Sequence, residues 1–234
     1  MTASTIQPNV MTLDVRELGV TEVNRRLRDL PAGASALIVE PRGAHNLGVG
    51  MTVPLAITVE GNSGYYLGGL CDGPDFTVRG SVGWGAAENL MSGTVRILGN
   101  ASESAAASAH GGLVIVEGDA SSRAGISLKG GTLVVAGDVG HMSAFMAQAG
   151  TILVGGDAGD SLGDSLYEAV VYVAGKVKSL GSDARQVAMD ADDISIVQDL
   201  CARSGMTHID AGNITKVASA RELYTFDALK NQRY

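Results

Sequence analysis

Few side chains in this sequence could do chemistry, and most are spaced against it. The candidate metal ligands are His45, His110, His141 and His208, with Cys71 and Cys201. Zinc sites draw ligands in closely spaced pairs, whereas these stand far apart, and two cysteines are too few for a disulfide framework or an iron–sulfur cluster held by this chain alone. They read as buried thiols. A second set, Asn62, Asn100, Asp119, Asp138 and Asp157, directly follows glycines. Asn and Asp in that place hydrogen-bond the backbone of their own turn. Three stacked carboxylates repel one another and would invite a cation or a partner's arginine. The third set is aromatic: Tyr65, Tyr66 and Trp84 gather on one outer corner. That is too small for the aromatic-lined groove of a polysaccharide binder, but it could centre a surface binding site. No catalytic, cofactor-binding or metal residue is assigned from these sets.

The elements that must position them follow from a repeat. Gly61, Gly80, Gly99, Gly118, Gly137, Gly156 and Gly175 recur 19 residues apart each time. The segments ending there read LAITVEGN, PDFTVRGS, GTVRILGN, GLVIVEGD, GTLVVAGD, GTILVGGD and AVVYVAGK. Such short β-branched runs bounded by glycine carry no 3.6-residue stripe, which excludes a helical repeat. Two columns are apolar in every copy, Ile57/Phe76/Val95/Val114/Leu133/Ile152/Val171 and, two residues later, Val59/Val78/Ile97/Val116/Val135/Val154/Val173. Period two sets both on the interior face of a strand. A third inward column is Cys71/Leu90/Ala109/Leu128/Ala147/Leu166.

Stacked in parallel at about 4.8 Å, the coils make a rod of roughly 34 Å. The reading is an all-β core, a right-handed parallel β-helix of about seven turns over residues 43–182. Its corners recur as Gly64/Gly68, Gly83/Ala87, Ser102/Ala106, Ser121/Gly125, Gly140/Ala144 and Gly159/Gly163, where left-handed backbone or close approach is needed. His110 and His141 are 31 residues apart, not a multiple of 19, so they fall at different places around the coil. A left-handed acyltransferase helix needs a six-residue repeat, of which 19 is no multiple either.

An open rod needs caps. Residues 1–42 are read as an N-terminal cap with a helix over 21–30, Thr21 as its N-cap, followed by an irregular strand, SALIVE. Residues 183–234 are read as a C-terminal cap and partner-binding tail, with a helix over 192–203 covering that end and a capping box at Ser219 and Glu222. Between the inward columns the outward residues run Thr58, Thr77, Arg96, then Ile115, Val134, Leu153 and Tyr172. An exposed apolar strip marks an interface. Ile115, Val134, Leu153 and Tyr172 are therefore candidate partner contacts, with a helix of the same chain as the equally simple cover.

Composition narrows the classes. Glycine makes up 32 of 234 residues, roughly twice the usual ~7%, which demands many tight turns. With 17 Lys+Arg against 25 Asp+Glu the net charge is −8 and no basic run occurs, against a nucleic-acid partner. No signal peptide or membrane span is read, and the expected location is cytoplasmic.

The 19-residue register, the GG-x-(apolar)4-GD coils and the segment GDVGHMSAFMAQAG resemble the GXGXG β-helix domain at the C-terminus of the glutamate synthase large subunit, over Gly43 to Ser182. The tail SARELYTFDALKNQRY and the overall length further resemble the β-helix subunit of N-methylglutamate synthase, a methylamine–glutamate N-methyltransferase. The resemblance implies a noncatalytic scaffold holding a class II amidotransferase-like subunit and an FMN-binding, glutamate-synthase-like subunit. The flavin, and optionally an iron–sulfur cluster, would belong to the latter. It also implies a shared path for ammonia or methylamine. The amidotransferase nucleophile is an N-terminal cysteine, whereas Thr2 follows Met1 here, and a flavin barrel of about 250 residues has no room. The alternatives are a related scaffold, in a split glutamate synthase or formylmethanofuran dehydrogenase, or a self-sufficient β-helix enzyme or binding module.

Overall fold

The computed structural model describes residues 10–221, which form one continuous sheet wound into a parallel β-helix. Strands β1 (Met11–Asp14) and β2 (Ser35–Val39) start the sheet, followed by β3 (Ala56–Val59), β4 (Asp72–Val78), β5 (Ser92–Ile97), β6 (Leu113–Val116), β7 (Lys129–Val135), β8 (Ala149–Val154) and β9 (Val170–Val173). Each pairs in parallel with the next. Ile57, Phe76, Val95, Val114, Leu133, Ile152 and Val171 are register partners in turn. A 19-residue period aligned with this register superimposes equivalent side chains, so every inward column is buried. The third column alternates large and small from Leu90 to Leu166, which lets leucines interdigitate over alanines at crystal-like density.

The opposite side of each coil is built from short parallel bridges, Ser63–Val82–Ala101–Ala120–Val139–Ala158–Val177. The corner between carries three left-handed residues two apart, such as Ser104 (φ 61°), Ala106 (φ 57°) and Ser108 (φ 53°). The sequence marks only the middle position with small residues. Alternating hand turns successive N–H groups to opposite neighbours: Ser104 and Ser108 donate to the carbonyls of Ser122 and Ile126 on the next coil, and Ala106 donates to Ala86 on the previous one. The hydrogen bonds offset a strain of about 1 kcal/mol per left-handed residue.

Both caps differ from the sequence reading. Helix α1 spans Val15–Arg28, earlier than residues 21–30, because Asp14 and not Thr21 is its N-cap, accepting from the N–H groups of Arg16 and Glu17. Gly19 (φ 72°) kinks it, which separates the two halves. Its buried face, Val15, Val23, Asn24 and Leu27, closes the rod's first end. There Asn24 donates to the Asn46 carbonyl at 2.7 Å and accepts from the Gly48 N–H at 2.8 Å. SALIVE is not irregular, since β2 pairs in full register with β3. The sheet therefore crosses residue 42 without a break.

At the other end β9 is covered by β11 (Thr215–Ser219), antiparallel, and β11 by β10 (Ala184–Val187). Ser219 lies in that strand, and Glu222, its partner in the expected capping box, lies outside the described residues. Helix α2 (Ala191–Ser204) ends at Gly205 in left-handed backbone, as the sequence requires, but it does not close the rod's end. It lies on the outer face of the sheet.

Candidate functional site

The outward column from Arg96 to Lys216 is where α2 docks. Ile115, Val134, Leu153 and Tyr172 are at most 2% exposed, packed with Val197, Leu200 and Met206. The chain's own helix thus covers the strip proposed as a partner interface, because an apolar helix stripe and an apolar strand column bury one another. The helix is held at both ends. At its start Asp190 and Asp193 form a reciprocal capping box. The Asp193 carboxylate accepts from Tyr172 Oη at 2.6 Å and from Lys216 Nζ at 2.7 Å. Burial works against ionising Asp193, but the donors from Lys216, Tyr172 and the Asp190 N–H outweigh it and hold its carboxyl down at about 2. Burial, then the neighbouring Asp193 charge, pushes the Tyr172 phenol well above its usual range. At the helix's end Arg96 donates to the Ser204 carbonyl at 3.1 Å while pairing with Glu117 at 2.6 Å. A cation at the C-terminus also suits the helix dipole.

The polar ladder bonds between coils, not within its own turn. Asn100 Oδ1 accepts from the Asp119 N–H (2.9 Å), Asp119 Oδ1 from Asp138 (2.8 Å), Asp138 Oδ1 from Asp157 (2.6 Å) and Asp157 Oδ1 from Lys176 (2.7 Å). Ser81 continues the column between Asn62 and Asn100. This explains the repeat glycines. Of the seven only Gly61 is left-handed; a Cβ on Gly118 would lie 2.1 Å from Asn100 Oδ1, and on Gly80 it would lie 2.5 Å from the Gly61 backbone. The glycine column clears space for the acceptor beside it. Asp119, Asp138 and Asp157 have one oxygen each committed to backbone, which is a structural use of the carboxylates.

The remaining candidates separate. Cys71 is fully buried, donates to the Gly48 carbonyl at 3.0 Å, and burial pushes its thiol up to about 11. Cys201 is half-buried on α2. His110 and His141 are exposed on different coils, and His208 lies 3.4 Å from the Ala136 carbonyl. Among the described residues no three His, Cys, Asp or Glu side chains are grouped to hold a metal, and no helix is long and apolar enough to cross a membrane.

The aromatic corner does assemble, and it gains a histidine that the sequence reading had set among metal ligands. His45, Tyr65 and Trp84 stack on consecutive coils, ring centroids 4.3 and 5.6 Å apart. Tyr65 is the middle ring, and His45 and Trp84 each leave one face outside the stack. His45 Nδ1 accepts from the Tyr65 N–H at 2.8 Å, which fixes its tautomer as Nε2–H when neutral. Beside the stack is a groove of about 270 Å³ lined by Asn46, Val49, Tyr66, Leu70, Glu88 and Asn89.

A continuous sheet with a filled interior, clasped along one face by its own helix, defines a parallel β-helix of the glycine-ladder type. Among curated proteins it is similar to Protein GlxC of Rhizobium meliloti (strain 1021), with 50% identity over 218 residues, covering 92% of this chain and 96% of that protein. The chain belongs to the GlxC family. No family model matches the sequence.

Proposed function

We propose that the chain is the noncatalytic β-helix subunit of a glutamate-synthase-like complex, and specifically of an N-methylglutamate synthase that converts methylamine and L-glutamate to N-methyl-L-glutamate and ammonia. Its work is to hold an amidotransferase-like subunit and an FMN-binding subunit at fixed separation. The observation that carries the reading is the unbroken 19-residue coil register, the feature through which the sequence resembles the glutamate synthase β-helix, in a chain matched to GlxC over nearly its whole length.

Two further observations support the division of labour. The coil interior is filled with buried side chains, so a path for ammonia or methylamine would run between the rod's outer surface and a partner, not along its axis. Among the described residues both helix N-termini are closed by aspartates, Asp14 and Asp190, whose carboxylates take N–H groups a flavin phosphate would need. FMN does not fit there, and the proposal assigns it to the partner.

The test is a tagged purification from cells grown on methylamine, with mass spectrometry, a flavin spectrum and an assay for N-methylglutamate. Two stoichiometric partners, FMN and that product support the reading. Glutamate formation from ammonia instead would assign the chain to a split glutamate synthase. A lone, flavin-free chain would overturn the scaffold role and return attention to a self-sufficient binding module.

A further inference from the structure

We infer that the corner formed by Tyr66, Leu70 and Glu88 is the docking surface for a partner subunit, which presents an apolar side chain beside a lysine or arginine. The inference rests on the scaffold reading and names the face that reading left open. It begins from a concentration of exposed apolar area. Tyr65, Tyr66, Leu70, Trp84 and Met91 are all between 44% and 59% exposed, within two coils. The equivalent corner positions of the next two coils carry Glu103, Ser104 and Ser108, then Ser122, Arg123 and Ser127.

The corner's backbone does not dictate these side chains. Tyr66 (φ 60°) and Leu70 (φ 56°) hold left-handed backbone, which a bulky side chain adopts at a cost of about 1–2 kcal/mol. The same two columns carry Ser104/Ser108 and Ser161/Ser165, but also Arg123/Ser127 and Met142/Met146, so the corner accepts small and large residues alike. Folding therefore does not need Tyr66 or Leu70, and burial in the free chain does not reward them.

Charge selects the partner. The groove between Tyr66 and Leu70 contains Glu88, whose carboxylate makes no ion pair among the described residues. Gly85 makes the arrangement possible: a Cβ there would meet the Tyr66 ring at 2.7 Å and Glu88 Oε2 at 2.9 Å. The ring edge and the carboxylate thus share the space above one glycine. Arg28, on α1, already donates to the Val49 carbonyl at the groove's margin. On a chain of net charge −8, an acidic group inside an apolar groove suits an apolar anchor flanked by a cation, the usual make-up of an interface hot spot.

The test uses the full chain with the amidotransferase-like and flavin-binding subunits recovered in the tagged purification above, each purified and titrated against wild type, the Tyr66→Ser/Leu70→Ser double variant, and Glu88→Lys. Circular dichroism checks that each variant is folded. The expected result is a loss of affinity for one subunit of about 100-fold in the double variant and about 10-fold in Glu88→Lys. Wild-type affinity in both folded variants would overturn the inference and leave the scaffold reading standing. A wild-type chain that binds neither subunit would sink both. Self-association of the wild type that the double variant abolishes would make the occupant a second copy, which also overturns it.

Discussion

Arg96 and Lys216 lie at opposite ends of one outward column of the sheet and grip opposite ends of the same helix. Arg96 donates to the last carbonyls of α2, and Lys216 pairs with Asp193 in its first turn. Five strand spacings of about 4.8 Å separate the two residues in the column, close to the length of a 14-residue helix at about 1.5 Å per residue.

Arg96→Ala should therefore loosen α2 from its far end while leaving the coils intact. Loss of a charged donor to helix carbonyls costs about 1–2 kcal/mol. Amide hydrogen exchange should rise in residues 197–204 and stay unchanged in β3 and β4. Uniform protection across α2 in the variant would show that Arg96 is not its clasp.

Asp193 gives the clasp a pH dependence. Its carboxyl is held at about 2 in the folded chain, below the ordinary ~3.9, so the folded state binds its proton less readily than the unfolded one. The contribution, roughly 2 kcal/mol, is complete above pH ~4 and is lost as pH falls through 4 toward 2. Lys216→Met should shrink that acid-side loss, measured as the urea midpoint against pH.

The repeat glycines should be far less replaceable than their conformation suggests. Gly80→Ala sets a methyl against the Gly61 backbone and should cost about 2–4 kcal/mol in a chemical denaturation series. An unchanged midpoint would mean that neighbouring coils can separate to admit it.

In the polar ladder Asp138→Asn keeps the Oδ1 acceptor for the Asp157 N–H and removes the middle of three stacked charges. Stability should hold or rise by about 0.5 kcal/mol, whereas Asp138→Ala should fall by about 1 kcal/mol. A destabilised Asn variant, read by thermal melting, would point to a cation bound by the carboxylates.

Val135 is wholly buried in the second inward column. Val135→Asp would bury an unpaired charge between Val116 and Val154, and the chain should fail to accumulate in folded form. A folded, β-rich variant would contradict that packing.

The inward columns were legible because β-branched residues at one spacing admit a single register. What covered the outer strip was not. The pattern of α2 tells which of its faces is apolar, not whether that face meets the rod's end or its side; the contacts that settle it, with the column from Ile115 to Tyr172 and with Arg96, reach up to 108 residues back in sequence. The ladder bonds escaped for the same reason: an Asp–backbone bond spanning 19 residues lies outside any local window. Thr21 misled because Gly19 breaks α1 and makes its second half look like a beginning. Tyr66 was legible as a member of the aromatic corner with Tyr65 and Trp84, but Leu70 was not, since propensity assigns left-handed positions to glycine and asparagine.

The coil register also makes the molecule a spacer of discrete lengths. Evolution or engineering can add or remove whole 19-residue units, each changing the separation of whatever the two ends hold by about 4.8 Å. The clasp restricts where. A unit inserted between β5 and β9 would carry Arg96 and Lys216 out of reach of a helix of fixed length, so only the first coils, before Arg96, are free to set the gauge.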